Sequence, residues 1–233
     1  MAHPLLSIDY LLANDEQAKA AIGSLVDTYN KPAADDALQR AKAALEAKPH
    51  HVKIVNTKAE ALEAVKAIIP KGAKVHNTSS ISLSQIGYID YAKTTTDFVN
   101  LHTAILAESD PAKQAQLRRE AAIADFVVSS PVAVSEEGDI VVADLTGTRI
   151  APIVSSGEVI FVTGANKVVP TYDAAIKRLY EYTLPAESSR LRFAYNTGPQ
   201  GRSNVSNLLA IRGGNPFGKP RVHVIIVKEP LGF

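Results

Sequence analysis

Residues 51–78 read HVKIVNTKAEALEAVKAIIPKGAKVHNT, and this stretch decides the fold class. HVKIVN predicts a short buried strand, and KVHNT, after a PKGAK turn, predicts the next one. Between them Thr57 suits a helix N-cap with Glu60 three residues on. The helix that follows is amphipathic, because its apolar residues recur at helical spacing: Ala61, Val65, Ala67 and Ile68. A strand, a helix and a strand in succession predict a parallel pair of strands with a helical crossover.

The same alternation continues outward from this unit. Upstream, residues 14–29 and 34–48 are rich in Ala, Leu, Glu, Lys and Gln, which are strong helix formers. Downstream, the sequence predicts strands at DFVNL, EVIFVTG and RVHVIIVKE, and one on each side of the Glu-Glu-Gly turn in FVVSSPVAVSEEGDIVVAD. It predicts helices near residues 83–91, in DPAKQAQLRREAAIAD and in TYDAAIKRLYEYT. We therefore predict an α/β fold with a mostly parallel sheet flanked by helices.

The chain of 233 residues is long enough for one large α/β domain. We divide it into an N-terminal helical segment, residues 1–49, and an α/β domain, residues 50–233. The N-terminal helices fit either an appended lobe or an arm for a homodimer or partner subunit.

The composition of the chain argues against several classes of function. A formal charge of +1 gives no basic face for nucleic acid, and no apolar run reaches the ~18–20 residues of a membrane span. There is no cysteine, so disulfides, thiolate nucleophiles and cysteine-held metal clusters are excluded. The histidines show no metal-ligand spacing, and we predict no metal and no cofactor. The first residues lack a basic region and a cleavage site, so a cytoplasmic location is expected.

The segment HNTSSISLSQIG places clustered hydroxyls between a strand and a helix. Ser79, Ser80 and Ser82, with the amides of a helix start, suit a pocket for a carboxylate or phosphate. Simple N-capping by Ser80 or Ser82 explains the same residues equally well.

The segment SEEGDIVVADLTGTRIAPI carries charged residues at a turn and at a strand end. Glu137 stands at the turn, and Asp144 ends the strand. Arg149 follows a bend at Thr146 and Gly147, from which its guanidinium can fork onto an anion. An Asp144–Arg149 ion pair that only fixes the loop is the alternative.

The segment FVTGANKVVP, residues 161–170, ends a buried apolar run at Gly164. The residues that follow include Asn166 and Lys167, which either close the strand or present an amide and an amine to a ligand. Closure of a buried strand accounts for Gly164 alone, so we predict a polar pocket that includes Asn166 and Lys167.

Five of these stretches, in register from about residue 50 to the end, resemble one family, the LUD domain, which includes the lactate-utilisation C proteins. They are TSSISLSQIG (matching at Ser80, Leu83 and Gly87, and conservatively at Ser82), IADFVVSSPVAVSEEGDIV, DLTGTRIA (matching at Asp144, Thr146, Gly147, Arg149 and Ala151), GANKV and VHVIIVKEPLGF. The chain departs from the family pattern in having no cysteine-rich segment before the last strand. Thr78 and Ser79 also replace glycines, and Thr148 replaces an asparagine. A paralogue with an altered substrate fits these departures best.

The resemblance implies a sheet like that of ribose-5-phosphate isomerases, CoA transferases and formyltetrahydrofolate cyclo-ligases, with the ligand outside the carboxyl ends of the strands.

The first hypothesis is an enzyme for a small anionic metabolite, a hydroxy or keto acid or a sugar acid, with isomerase or proton-transfer chemistry. Glu137 or Asp144 would be the general base, while Arg149 and Lys167 hold the anion. The alternatives are a non-catalytic subunit of a lactate-oxidising complex, marked by an exposed apolar patch, and a ligand sensor.

Overall fold

A computed structural model describes residues 7–215 and 217–233, so residues 1–6 of the predicted N-terminal segment lie outside it. The helices are α1 (Ile8–Asn14), α2 (Glu16–Ile22), α3 (Val26–Tyr29), α4 (Asp35–Ala47), α5 (Lys58–Ile68), α6 (Ile81–Gln85), α7 (Tyr88–Thr94), α8 (Leu101–Ala107), α9 (Pro111–Ala121), α10 (Ile150–Ser155), α11 (Tyr172–Arg178) and α12 (Leu184–Tyr195). The strands are β1 (His51–Val55), β2 (Lys74–Asn77), β3 (Val99–Asn100), β4 (Phe126–Ser129), β5 (Ala133–Ser135), β6 (Ile140–Asp144), β7 (Glu158–Gly164), β8 (Val168–Val169), β9 (Asn207–Ile211) and β10 (Val222–Val227).

The larger sheet has six parallel strands in the order β1-β10-β7-β4-β2-β3. The predicted α/β class, with a mostly parallel sheet flanked by helices, is confirmed. After β2 the chain moves outward to the edge strand β3 and then returns to form β4 on the other side of β2. The strand order therefore reverses between β2 and β4, and a crevice opens beyond the carboxyl ends of strands at such a point.

A second sheet, in the order β8-β5-β6-β9, was not predicted. FVVSSPVAV does not form one strand, because the chain leaves the large sheet after Ser129 and β5 pairs with β6 and β8 instead. Strand β9, which the sequence analysis did not identify, completes this sheet against β6.

Both faces of the large sheet are buried, as its apolar strands require. Along β7, Ile160 and Val162 belong to a cluster covered by α5, α6 and α7. Val159 and Phe161 face the opposite cluster, which α4, α10 and the second sheet cover. Helix α4 therefore forms part of the main core, although it lies within the predicted N-terminal segment.

The crossover helix α5 begins where the sequence indicates. The Thr57 hydroxyl accepts from the backbone N–H of Glu60 at 3.2 Å, and the Glu60 carboxylate accepts from the N–H of Asn56 at 2.9 Å. The first bond satisfies an N–H group that the first helical turn leaves without a partner, and the second ties the residue before the N-cap to the helix.

Helices α1 to α3 pack against the long helical segment that contains α12. Ile8, Leu11 and Ile22 form a cluster with Tyr182, Ala186 and Phe233. The predicted helix over 14–29 is split into α2, a 3₁₀ turn at Gly23–Leu25 and α3. Across the described ranges, no helix combines the length and apolar character that crossing a membrane demands.

The predicted helix TYDAAIKRLYEYT continues further than expected. It runs from α11 through a π-helical turn at Leu179–Thr183 into α12. Within this wider turn Tyr182 is buried and Tyr180 is exposed.

Candidate functional site

A cleft of about 1020 Å³ lies beyond the carboxyl ends of β2 and β4, where the strand order reverses. Many of the residues proposed from the sequence line it: Ser79, Ser80, Ser82, Asp144, Thr146, Gly147, Arg149 and Lys167. Segments far apart in the chain thus meet at one concavity, as the predicted strand ends suggested.

Lys167 lies in a 3₁₀ turn, Ala165–Lys167, directly after β7, and its side chain is buried. Its Nζ is 3.0 Å from Ser82 Oγ, 3.3 Å from Ser130 Oγ and 3.4 Å from the carbonyl oxygen of Pro131. Ser130 follows β4 and Ser82 lies in α6, so the amine joins the ends of the two strands that flank the crevice.

The amine has no carboxylate partner among the described residues. Burial lowers the pKa of Lys167 well below its ordinary value, and the positive charges of Arg178 and Arg149 lower it further. The positive charge of Lys167 is therefore held less firmly than that of an exposed lysine, and the amine gives up its proton more readily.

The segment HNTSSISLSQIG, here called the serine segment, supplies both a helix cap and residues of the cleft wall. Ser80 is the N-cap of α6, since its hydroxyl accepts from the Leu83 N–H at 3.4 Å. The carbonyl of Ser79 accepts from the Arg149 guanidinium at 2.8 Å. Ser82 makes no cap and instead contacts Lys167.

Asp144 organises the loop that follows β6. One carboxylate oxygen accepts from the Thr146 N–H at 3.0 Å, and the other accepts from the N–H groups of Arg149 and Ile150 at 2.8 and 3.1 Å. Burial acts to raise the pKa of Asp144, but these three hydrogen bonds and the Arg149 charge outweigh it, and the pKa is lowered. We expected a raised pKa for a general base, so this geometry favours a structural role for Asp144.

Arg149 does not form the side-chain ion pair with Asp144 that the alternative interpretation proposed. Its backbone N–H binds the carboxylate, while its guanidinium crosses to the serine segment. The loop conformation and the guanidinium position are thus fixed by separate bonds, and the side chain stays half-buried on the cleft wall.

Positive groups outnumber negative ones along the cleft. The lining includes the cations Arg118, Arg119, Arg149 and Arg190 against the carboxylates Asp144 and Glu187, so positive groups are in excess even without Lys167. Glu187 is bound by both ends of the Arg190 guanidinium at 2.7 and 2.6 Å, which neutralises that pair. The remaining balance favours an anionic ligand.

Three predicted site residues do not line the cleft. Glu137 lies in the turn between β5 and β6, where its carboxylate accepts from the Tyr172 N–H at 3.1 Å. Asn166 points away from Lys167 and binds the Leu231 N–H at 3.0 Å through its side-chain oxygen. A Cβ on Gly164 would lie 2.8 Å from the Glu229 carbonyl oxygen, so the lack of a side chain here lets the C-terminal residues pack directly against β7.

The sequence analysis missed two features of the cleft. Ser130 was read as part of a strand, and only the bend before Pro131 brings it to Lys167. His76 and His102 also line the cleft, with ring centroids 5.7 Å apart, a position that the sequence did not indicate. Within the described chain, no group of three or more His, Cys, Asp or Glu residues could hold a metal ion.

His76 makes the stability of this region depend on pH. Burial, with a smaller contribution from His102, lowers its pKa from 6.5 to about 4, and its Nδ1 is buried without a partner in the described chain. The unfolded chain takes up the proton near pH 6.5 and the folded chain resists it. Stability is therefore complete above pH 6.5 and falls as the pH approaches 4, by about 3 kcal/mol from this residue.

We expect His76→Leu to flatten this dependence in denaturant unfolding between pH 7 and pH 4.5. His51→Gln, at an exposed position, serves as the control and should keep the slope. An unchanged slope in the His76 variant would show that the buried imidazole is not its source.

Comparison with known proteins identifies a family and several similar solved structures. A family profile described as LUD domain matches residues 38–227. The crystal structure of a DUF162 family protein from Deinococcus radiodurans superposes with a TM-score of 0.51 at 18% identity, over 82% of this chain and 96% of that one. At this identity the likeness supports the fold alone. No curated protein matches the chain.

Proposed function

Because this chain belongs to the LUD domain family, we propose that it binds a small anionic metabolite in the cleft beyond β2 and β4 and acts on it by proton transfer. The observation that carries this proposal is that Arg149 and Lys167 line the same cleft, together with the serine segment. The family alone names no substrate, so the proposal depends on the chemistry of these side chains.

Arg149 is the anion anchor in this proposal. Its guanidinium has five N–H donors, of which one binds the Ser79 carbonyl in the described chain. The remaining donors suit a carboxylate or phosphate, which an arginine can bind in two places. Asp144 holds the backbone on either side of Arg149, so the anchor is placed before the ligand arrives.

Lys167 supplies proton transfer in place of Glu137 or Asp144. A buried amine whose pKa is lowered well below the ordinary value of lysine suits a base, whereas the carboxylate of Asp144 is occupied by backbone donors. A hydroxy or keto acid or a sugar acid fits this division, with its acid group on Arg149 and its reacting atoms near Lys167.

A non-catalytic subunit of a lactate-oxidising complex is the weaker proposal. We predicted an exposed apolar patch for such a subunit, and the N-terminal helices are one place for it. In the described chain, the exposed large apolar side chains begin only at Val99. The helices instead bury their apolar faces against α12.

Thermal stabilisation by small carboxylates and sugar phosphates tests the proposal. A ligand at 100 times its Kd adds about 2.7 kcal/mol, or about 5–10 °C in a chain of this size. We expect Arg149→Ala to abolish the shift and Arg212→Ala, an exposed arginine outside the cleft, to keep it. An undiminished shift in Arg149→Ala, or no shift with any acid, would contradict the proposal.

A further inference from the structure

Ser82, Ser130 and Lys167 form a closed triangle of polar side chains at the base of the cleft. Ser130 Oγ donates to Ser82 Oγ at 3.2 Å, and Lys167 Nζ lies 3.0 and 3.3 Å from the two hydroxyl oxygens. All three side chains are buried, yet all three line the cleft. A serine hydroxyl within hydrogen-bond distance of a base is the arrangement that activates it as a nucleophile.

The protons of this triangle can be assigned completely if the amine is neutral. A neutral lysine has two N–H donors and one lone pair. The donors serve Ser130 Oγ and the Pro131 carbonyl oxygen, and the lone pair accepts the Ser82 hydroxyl proton. Ser130 in turn gives its proton to Ser82 Oγ. Every donor then has an acceptor, and the Ser82 proton is directed at Lys167.

The surroundings favour the unprotonated form of this amine and shield it from water. No carboxylate within the described ranges forms an ion pair with it, while Arg178 and Arg149 repel a further positive charge. The backbone of Gly232 closes over the triangle, because a Cβ there would lie 2.7 Å from Ser82 Oγ and 3.2 Å from Lys167 Nζ. Desolvation of this kind favours the neutral amine.

We propose that Ser82 is the nucleophile of an acyl-transfer reaction, with Lys167 as its general base and Ser130 as the hydroxyl that orients Ser82. The substrate class is a small ester or amide that carries a carboxylate. This inference goes beyond the proposed proton transfer, because it names a different reaction, and it rests on the proposed function for one point, the binding of that carboxylate by Arg149.

The reaction balances without an oxidant or cofactor. Ser82 Oγ bonds to the substrate carbonyl carbon while its proton passes to Lys167 Nζ. The bond from that carbon to the alcohol or amine breaks, and the leaving group takes the proton from Lys167. Water then attacks the acyl-serine ester and gives a proton to Lys167, which returns it to Ser82 as the free acid departs.

Covalent labelling with methanesulfonyl fluoride tests this assignment. The reagent is small and uncharged, so labelling does not need the anion anchor. We expect one sulfonyl adduct in the intact mass, mapped to Ser82, formed more slowly as the pH falls because protonation of Lys167 removes its lone pair. Lys167→Met should slow labelling by about 100-fold or more. Ser24→Ala, which removes an exposed hydroxyl outside the cleft, should label at the unaltered rate.

Each outcome decides the inference. Absence of an adduct after exhaustive incubation, an adduct on Ser130 instead of Ser82, or labelling that is equally fast in Lys167→Met would overturn it. Thermal unfolding of each variant shows whether it is folded, and we expect Lys167→Met to be at least as stable as the parent. If labelling fails while acids still stabilise the protein through Arg149, the acyl-transfer inference falls and the anion-binding proposal stands.

Discussion

Replacing Gly164 with alanine is expected to lower the free energy of unfolding by about 3 kcal/mol or more. A Cβ at this position would meet the Glu229 carbonyl oxygen at 2.8 Å, and the backbone nitrogen of Leu231 lies closer still. Both obstacles are backbone atoms, so no side-chain rotation relieves the overlap. The C-terminal residues 229–232 would have to move away from β7.

Denaturant unfolding of the two proteins measures this loss. Gly213→Ala is the matched control, because a Cβ there meets no atom of the described residues within 4 Å and its backbone conformation is ordinary. The Gly164 variant should also lose anion binding, since Gly232 lies against Ser82 and Lys167. A Gly164 variant as stable as the Gly213 variant would mean that the C-terminal chain does not pack on β7 in this way.

Arg178→Ala is the other substitution with a large expected effect. This arginine is fully buried, and its guanidinium donates to the carbonyl oxygens of Val132 and Tyr29 and to the Thr183 hydroxyl. Burial lowers its pKa to about 10, and it remains charged at neutral pH. Truncation leaves these acceptors unpaired and opens a cavity, at a cost of about 3 kcal/mol or more.

The neighbouring Lys177 provides the control for this prediction. Its side chain is mostly exposed, so Lys177→Ala should change stability by no more than about 0.5 kcal/mol. Chemical denaturation of both variants at pH 7 gives the comparison. Because Arg178 ties the start of β5 to the π-helical turn and to Tyr29, a small effect would show that the long helix docks by its apolar contacts alone.

Much of the fold could be predicted from the sequence because its strands and helices have clear local patterns. The unit β1-α5-β2 follows from apolar periodicity and from Thr57 and Glu60. Strand β9 was missed because Asn207–Ile211 is partly exposed and pairs only with β6, so its identity depends on a partner distant in the chain. The split of residues 126–144 between two sheets was missed for a similar reason: all of its strands are apolar and buried.

The site was predicted less completely than the fold. The segments around Ser82, Arg149 and Lys167 each follow a strand. Because the carboxyl ends of neighbouring strands lie at the same edge of a sheet, the sequence could predict that these segments share one cleft. The sequence around Ser130 does not mark it as a site residue, because serines often follow apolar strands. Only the folded chain shows that Lys167 lies beside it. Glu137 was placed in the site by its charge, although its turn faces α11.

The sequence by itself determined the parallel sheet, the family, and the set of polar segments that end at its carboxyl edge, since these depend on periodicity and on short motifs. Only the tertiary structure decided the chemical state of the side chains there. The protonation of Lys167 depends on burial and on Arg149 and Arg178, and the role of Asp144 depends on which backbone N–H groups the folded loop presents. Hydration and electrostatic interactions depend on which atoms are close in space, and the order of residues in the chain does not reveal this.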